Sequence, residues 1–153
     1  MNCRLVLIAL LLAVCALSAP GDDGDNRSDS GRLDARDEGF RRLIVGTWED
    51  DYQGKRTMTL RPDGKGTMLV ELSGVRARLF AERLQFEMVW SVEQGRLKKR
   101  TIGGEPALPV QLILKTMGDR VDERILELTD DRLLLQDKDD KTKYDWRRKR
   151  MEP

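Results

Sequence analysis

From residue 56 onward, apolar and polar positions alternate in short runs separated by turn residues. Between Arg56 and Arg61, Met58 and Leu60 fall on one side and Thr57 and Thr59 on the other. Pro62, Asp63, Gly64, Lys65 and Gly66 then turn the chain into Thr67 to Ser73, where Met68, Val70 and Leu72 share a face. This predicts a β-hairpin. Gly74 fits a bulge that lets Val75, Ala77 and Leu79 continue the strand, and a helix over Val75 to Arg83 is the competing reading. The clearest strand is Leu84 to Val92, with Leu84, Phe86, Met88, Trp90 and Val92 on one face and Gln85, Glu87 and Ser91 on the other. Glu93, Gln94 and Gly95 turn it into Arg96 to Ile102, read as a strand with a basic outer surface at Lys98, Lys99 and Arg100. Pro106 and Pro109 bracket a loop, after which Val110, Ile113, Leu114 and Met117 are spaced as on a short helix ending before Gly118. Asp130 and Asp131 separate Glu123 to Thr129 from Arg132 to Lys138, and residues 139–142 lead into Lys143 to Lys149. About eight short strands predict an all-β domain over residues 40–150. Its expected form is a small antiparallel barrel, closed or nearly closed, with one short helix.

The front of the chain follows another pattern. Arg4 is the single charge before thirteen apolar residues, Leu5 to Leu17, and the small residues Ala16, Ser18 and Ala19 follow. This reads as an export signal over residues 1–19, shorter than the roughly 20 apolar residues that span a bilayer. The mature chain is then expected to be periplasmic or extracellular, with no membrane-spanning segment. Cleavage after Ser18 is preferred over lipoprotein processing at Cys15, because Val14 stands where that pattern has Gly, Ala or Ser. Residues 20–39 form a polar leader, with seven acidic and three basic residues from Gly21 to Gly39, and are expected to be flexible. A calcium loop starting at Asp23 fails at Arg27 and Ser28. Asn26, Arg27 and Ser28 form a glycosylation sequon.

Composition narrows the chemistry. The 153 residues make one domain and contain no histidine, and both cysteines, Cys3 and Cys15, lie inside the export signal. Most nucleophilic and transition-metal chemistry therefore loses its usual side chains, and no cofactor or metal site is expected. The chain has 28 basic and 27 acidic residues. Removing Arg4 balances them, so no global field draws nucleic acid. Charged residues make up 36% and apolar ones 39%, which suits strands with one wet face. Glu49, Asp50 and Asp51, or Glu87 and Glu127, are the carboxylates available for acid and base work. They alternate with apolar positions on the side expected to face water, which does not raise a carboxyl's proton affinity. The reading is therefore not an enzyme. From Lys138 to Arg150 seven basic residues stand against three acidic ones, with Tyr144 and Trp146 interleaved. That patch suits an acidic polymer, an anionic lipid surface or the chain's own acidic leader, or is the solvated outer face of the last strand.

At Gly46, Thr47 and Trp48 the chain resembles the lipocalin and calycin group, whose barrels open with a Gly-x-Trp motif. The order of features is similar too, with the 62–66 turn, Trp90 on a middle strand, and Tyr144, Asp145, Trp146 and Arg147 at the close. The resemblance implies that Arg147 or Arg148 packs across Trp48 and joins the last strand to the first. Such a guanidinium over an indole is worth about 0.5–2 kcal/mol. It also implies a cup for a small apolar ligand, with Met58, Met68, Val70, Phe86, Met88 and Trp90 as the candidate lining. The functional expectation is an exported binding or scaffolding module. A compact cell-envelope structural protein with a filled barrel is the alternative, and a carboxylate-dependent hydrolase comes last.

Overall fold

The computed structural model describes residues 25–150, with side chains from Ser30 onward. The export signal, Cys15 and the start of the leader lie outside the described residues, as do the side chains of the sequon. Eight strands follow one another around a closed antiparallel barrel: β1 (Gly46–Asp50), β2 (Lys55–Leu60), β3 (Lys65–Glu71), β4 (Arg83–Glu93), β5 (Arg96–Glu105), β6 (Arg120–Leu128), β7 (Arg132–Gln136) and β8 (Lys143–Arg148). Every strand pairs with its sequence neighbours, and β8 returns to β1 with Trp48 opposite Arg148 and Glu49 opposite Arg147. Closure removes both sheet edges. This is the all-β barrel that the alternation predicts.

The barrel core is Trp48, Met58, Leu60, Met88, Val92, Leu97, Ile125, Leu133, Leu135 and Trp146, with Ile44 sealing one end. The β4–β5 turn places Gln94 (φ 54°) and Gly95 (φ 70°) in the left-handed region, the geometry of a two-residue hairpin. Two register slips interrupt the ladders, at Ile102 in β5 and at Leu126 in β6. Each slip leaves an apolar residue unpaired and exposed.

Four expectations change. The leader expected to be flexible is helical from Asp25, as part of α1 (Asp25–Ile44). Its last turns are anchored: Asp37 accepts from the backbone N–H of Gln94 (2.5 Å) and Gly95 (2.8 Å), and Arg41 donates to Val92 O at 2.8 Å. Phe40 and Ile44 add apolar contacts, so burial absent from the composition of residues 20–39 comes from the helix's far end. Gly74 is no bulge: with φ +62° it ends the β3 direction, and α2 (Gly74–Leu79) follows, the competing reading. The helix before Gly118 starts earlier than expected, as α3 (Ala107–Met117), with Pro109 inside its first turn where a missing N–H costs nothing. Finally, Lys99 faces inward. Strand alternation from buried Leu97 carries it to the same side, so three consecutive bases cannot all share the outer face.

Candidate functional site

In an up-and-down barrel alternate connections emerge at the same end. One end therefore carries the β1–β2 loop, α2, α3 and the β7–β8 loop, while the other carries α1 and the three tight turns. The α1 end is sealed. Trp48 Nε1 donates to Ile44 O at 2.8 Å, and the Arg148 guanidinium carbon sits 4.2 Å from the Trp48 ring centroid. Arg147 points outward instead and pairs with Asp145 at 3.0 Å. Gly46 has φ +141°, and a Cβ there would run into the Arg148 guanidinium. The opening motif thus needs glycine for space as well as for conformation.

The six lining candidates separate into three groups. Met58 and Met88 are buried in the barrel core. Met68, Val70 and Phe86 lie on the same inner face, with Met58 opposite Met68, Met68 opposite Phe86, and Val70 between Arg56 and Leu84, but they remain half-buried toward the α2 and α3 end. Trp90 also packs against the core, but from the α1 end. It lies beyond the start of β3, where its Nε1 donates to Lys65 O at 3.1 Å, beside an open groove of about 460 Å³ lined also by Arg41, Arg42 and Pro62. A second open groove of about 540 Å³ runs over β4, β5 and β6, between Lys98, Arg100, Arg120 and Asp122.

Beside Val70, in register across β2 and β3, lies a polar pair of which the sequence reading named Asp50 alone, as a candidate acid or base. Asp50 takes a two-point ion pair from Arg56, at 2.7 Å from Nε and 2.5 Å from Nη2. The same guanidinium carbon lies 5.1 Å from the Tyr52 ring, 5.0 Å from Tyr144 and 4.7 Å from Trp146. Tyr52 and Tyr144 meet edge to face at 5.0 Å, and the Tyr144 hydroxyl donates to Asp137 at 3.1 Å. Burial first, then that hydrogen bond, pushes the Tyr144 phenol well above its ordinary value. A guanidinium among three rings keeps its charge while its flat faces are desolvated. The available signal was Asp50 and Arg56 in direct register across β1 and β2, on the same face as Trp48 and Met58.

Deeper in the barrel, Lys99 and Glu123 form a buried ion pair at 2.8 Å, and Lys99 Nζ also reaches Met58 Sδ at 4.0 Å. The Glu123 Oε2 contact is close but not aligned as a hydrogen bond. Glu123 Oε2 and Trp146 Nε1 are the two buried side-chain polar atoms without a hydrogen-bond partner among the described residues. Of the two, only Trp146 Nε1 lacks an ionic contact as well, and an unpaired buried donor costs about 1–3 kcal/mol.

Three of the five carboxylates considered for acid and base work are tied to cations. Glu49 pairs with Lys149 at 2.7 Å, whose hydrogen bond, opposed in part by burial, lowers its pKa. Glu127 pairs with Arg132 at 2.9 Å, Asp50 is held by Arg56, and Asp51 and Glu87 are exposed. In the basic closing segment, Arg147, Lys149 and Arg150 each pair with an acid, and Arg148 turns inward. Among the described residues no three His, Cys, Asp or Glu side chains come together to hold a metal ion. No described helix is long and apolar enough to cross a membrane.

Among solved structures, the chain is similar to a lipocalin-like protein from Bacteroides uniformis, at 14% sequence identity over 69% of this chain and 98% of that chain, with a TM-score of 0.48. No family model and no curated protein matches the sequence.

Proposed function

We propose that the protein is an exported binding module whose barrel takes a small, largely apolar ligand at the α2 and α3 end. The observation that carries this is that Met68, Val70 and Phe86, on the inner face beyond the closed core, stay half-buried, with Arg56 in register beside Val70. An apolar surface with a few fixed polar groups is how small-molecule sites are built. The apolar body of the ligand lies on that surface, and a polar end is held near Arg56, Tyr52 and Tyr144. The apolar stretch Leu5 to Leu17 supports export. Displacement of a fluorescent apolar probe tests the site. Saturable binding lost in Phe86→Asp and kept in Trp90→Ala is the expected result, and absence of saturable binding overturns the reading.

The filled barrel is the second reading, favoured by the core itself: Trp48, Met58, Leu97, Leu133 and Leu135 have no exposed surface at all. An eight-stranded barrel is only just wide enough for its own side chains. On that reading the protein acts through its outer faces as a scaffold of the cell envelope, and probe binding is absent.

A further inference from the structure

Toward the α2 and α3 end, the formal charges that reach the barrel interior are matched. Arg56 gives Nε and Nη2 to the two Asp50 oxygens, in a pair whose side chains are 16% and 4% exposed. Deeper in, Lys99 and Glu123 neutralise each other. Asp137, where β7 ends, uses both oxygens, one for the Tyr144 hydroxyl at 3.1 Å and one for the Lys138 backbone N–H at 2.6 Å. Burial and that bond raise the Tyr144 pKa, which keeps the phenol neutral. The connections around this end mix both signs, with Asp51, Glu82, Glu105 and Asp119 exposed among Arg76, Arg78 and Lys115. No field of one sign therefore steers a charged ligand inward.

What stays open is hydrogen-bonding capacity without net charge. Among the described residues, Arg56 Nη1, the Tyr52 hydroxyl and Trp146 Nε1 make no hydrogen bond. They belong to one cluster, since the Arg56 guanidinium carbon lies 5.1 Å from the Tyr52 ring and 4.7 Å from the Trp146 ring. Trp146 is 1% exposed, so its N–H is a donor without solvent. An uncharged oxygen brought beside Arg56 supplies an acceptor and adds no charge. A carboxylate in that place would share Arg56 with Asp50, which sets two desolvated anions against one cation. An ammonium would meet the Arg56 charge and find Asp50 already taken.

We propose that the ligand's polar end is an uncharged hydroxyl or carbonyl oxygen, seated beside Arg56 and accepting from the N–H groups that Arg56 and Trp146 leave open. This rests on the carriage of a small apolar ligand argued above and names its class, which is alcohols, ketones and esters in preference to fatty acids and amines. The Asp50 and Arg56 pair sets that preference by keeping the guanidinium's charge balanced.

The test displaces the fluorescent apolar probe from the full chain at neutral pH with decanol, methyl decanoate, decanoate and decylammonium, each below its micelle concentration. Decanol and methyl decanoate are expected to displace it saturably. Decanoate and decylammonium should be about tenfold weaker or more, the penalty of a charge leaving water without a free partner. Asp50→Asn leaves the Arg56 charge unmatched and should shift the preference toward decanoate by about tenfold or more. Decanoate or decylammonium binding the parent chain as tightly as decanol overturns the proposal, and that comparison needs no variant. A folded Asp50→Asn chain that disfavours decanoate to the same extent overturns it too, as does probe binding that none of the four displaces. In each of these outcomes saturable probe binding leaves carriage standing. Absence of saturable probe binding overturns carriage itself, and this proposal with it.

Discussion

Arg148 lies across Trp48 as part of a clasp that holds three separate segments. Its Nη2 donates to Leu43 O at 2.6 Å, its Nη1 to Val45 O at 2.9 Å and its Nε to Asp130 O. The end of α1, the entry to β1 and the β6–β7 turn therefore converge on one side chain from the last strand. Arg148→Ala should lose about 3 kcal/mol in urea unfolding, combining the ring contact with charge-assisted hydrogen bonds. Arg148→Lys keeps the charge but not the fork, and should recover less than half of that.

The Lys99 and Glu123 pair calls for a double-mutant comparison. Replacing Lys99 alone with Met strands a buried carboxylate, and the expected loss is about 3–5 kcal/mol. Lys99→Met with Glu123→Leu removes both charges and should restore most of the lost stability. If the double variant is as unstable as the single one, the pair contributes more than it costs to bury, and the expected sign is wrong.

How much of this was legible follows from what each signal measures. Alternation reports which side of a strand is apolar, so the strands around Met58, Met68 and Met88 and the closing β8 could be read directly. It reports poorly on inward charges: Arg56 and Lys99 sit at inward positions, but their partners Asp50 and Glu123 come from other strands. Composition reports local burial, which is why residues 20–39 looked unable to order, while the helix there is held by a turn 57 residues away, where Gln94 meets Asp37. Three basic residues crowd the end of β8, and only strand register separates Arg148 from Arg147.

That Asp37 contact gives α1 a distinct test. The carboxylate accepts from two consecutive N–H groups of the β4–β5 turn, both with positive φ, an arrangement that concentrates donors on one anion. Asp37→Ala should cost about 1–3 kcal/mol of docking. The loss should appear as faster amide exchange and proteolysis within α1, with β4 and β5 still protected, because the barrel closes through β8 and not through the helix. Uniform loss of protection across all strands would show that α1 and the barrel unfold as one unit.

The pH dependence has two limbs with different owners. Hydrogen bonding from Arg132, opposed in part by burial and helped by the charge of Arg147, lowers Asp145 below its ordinary 3.8, and Lys149 lowers Glu49 below 4.5. A carboxylate whose folded pKa is depressed contributes stability above its ordinary value and loses it as pH falls through the folded value. Stability should therefore decline on acidification below about pH 4.

The alkaline limb belongs to Tyr144. Burial and the hydrogen bond to Asp137 raise its folded pKa above the ordinary 10.0, so folding favours the neutral phenol. Its contribution is complete below 10.0 and is lost as pH rises toward the folded value, because the unfolded chain ionises first. Tyr144→Phe should lose about 1 kcal/mol at neutral pH, from the missing hydrogen bond. In return its urea midpoint should decline less than that of the parent chain above pH 10.0. Parallel declines in the two proteins would assign the alkaline loss to other groups and leave the Tyr144 environment without that consequence.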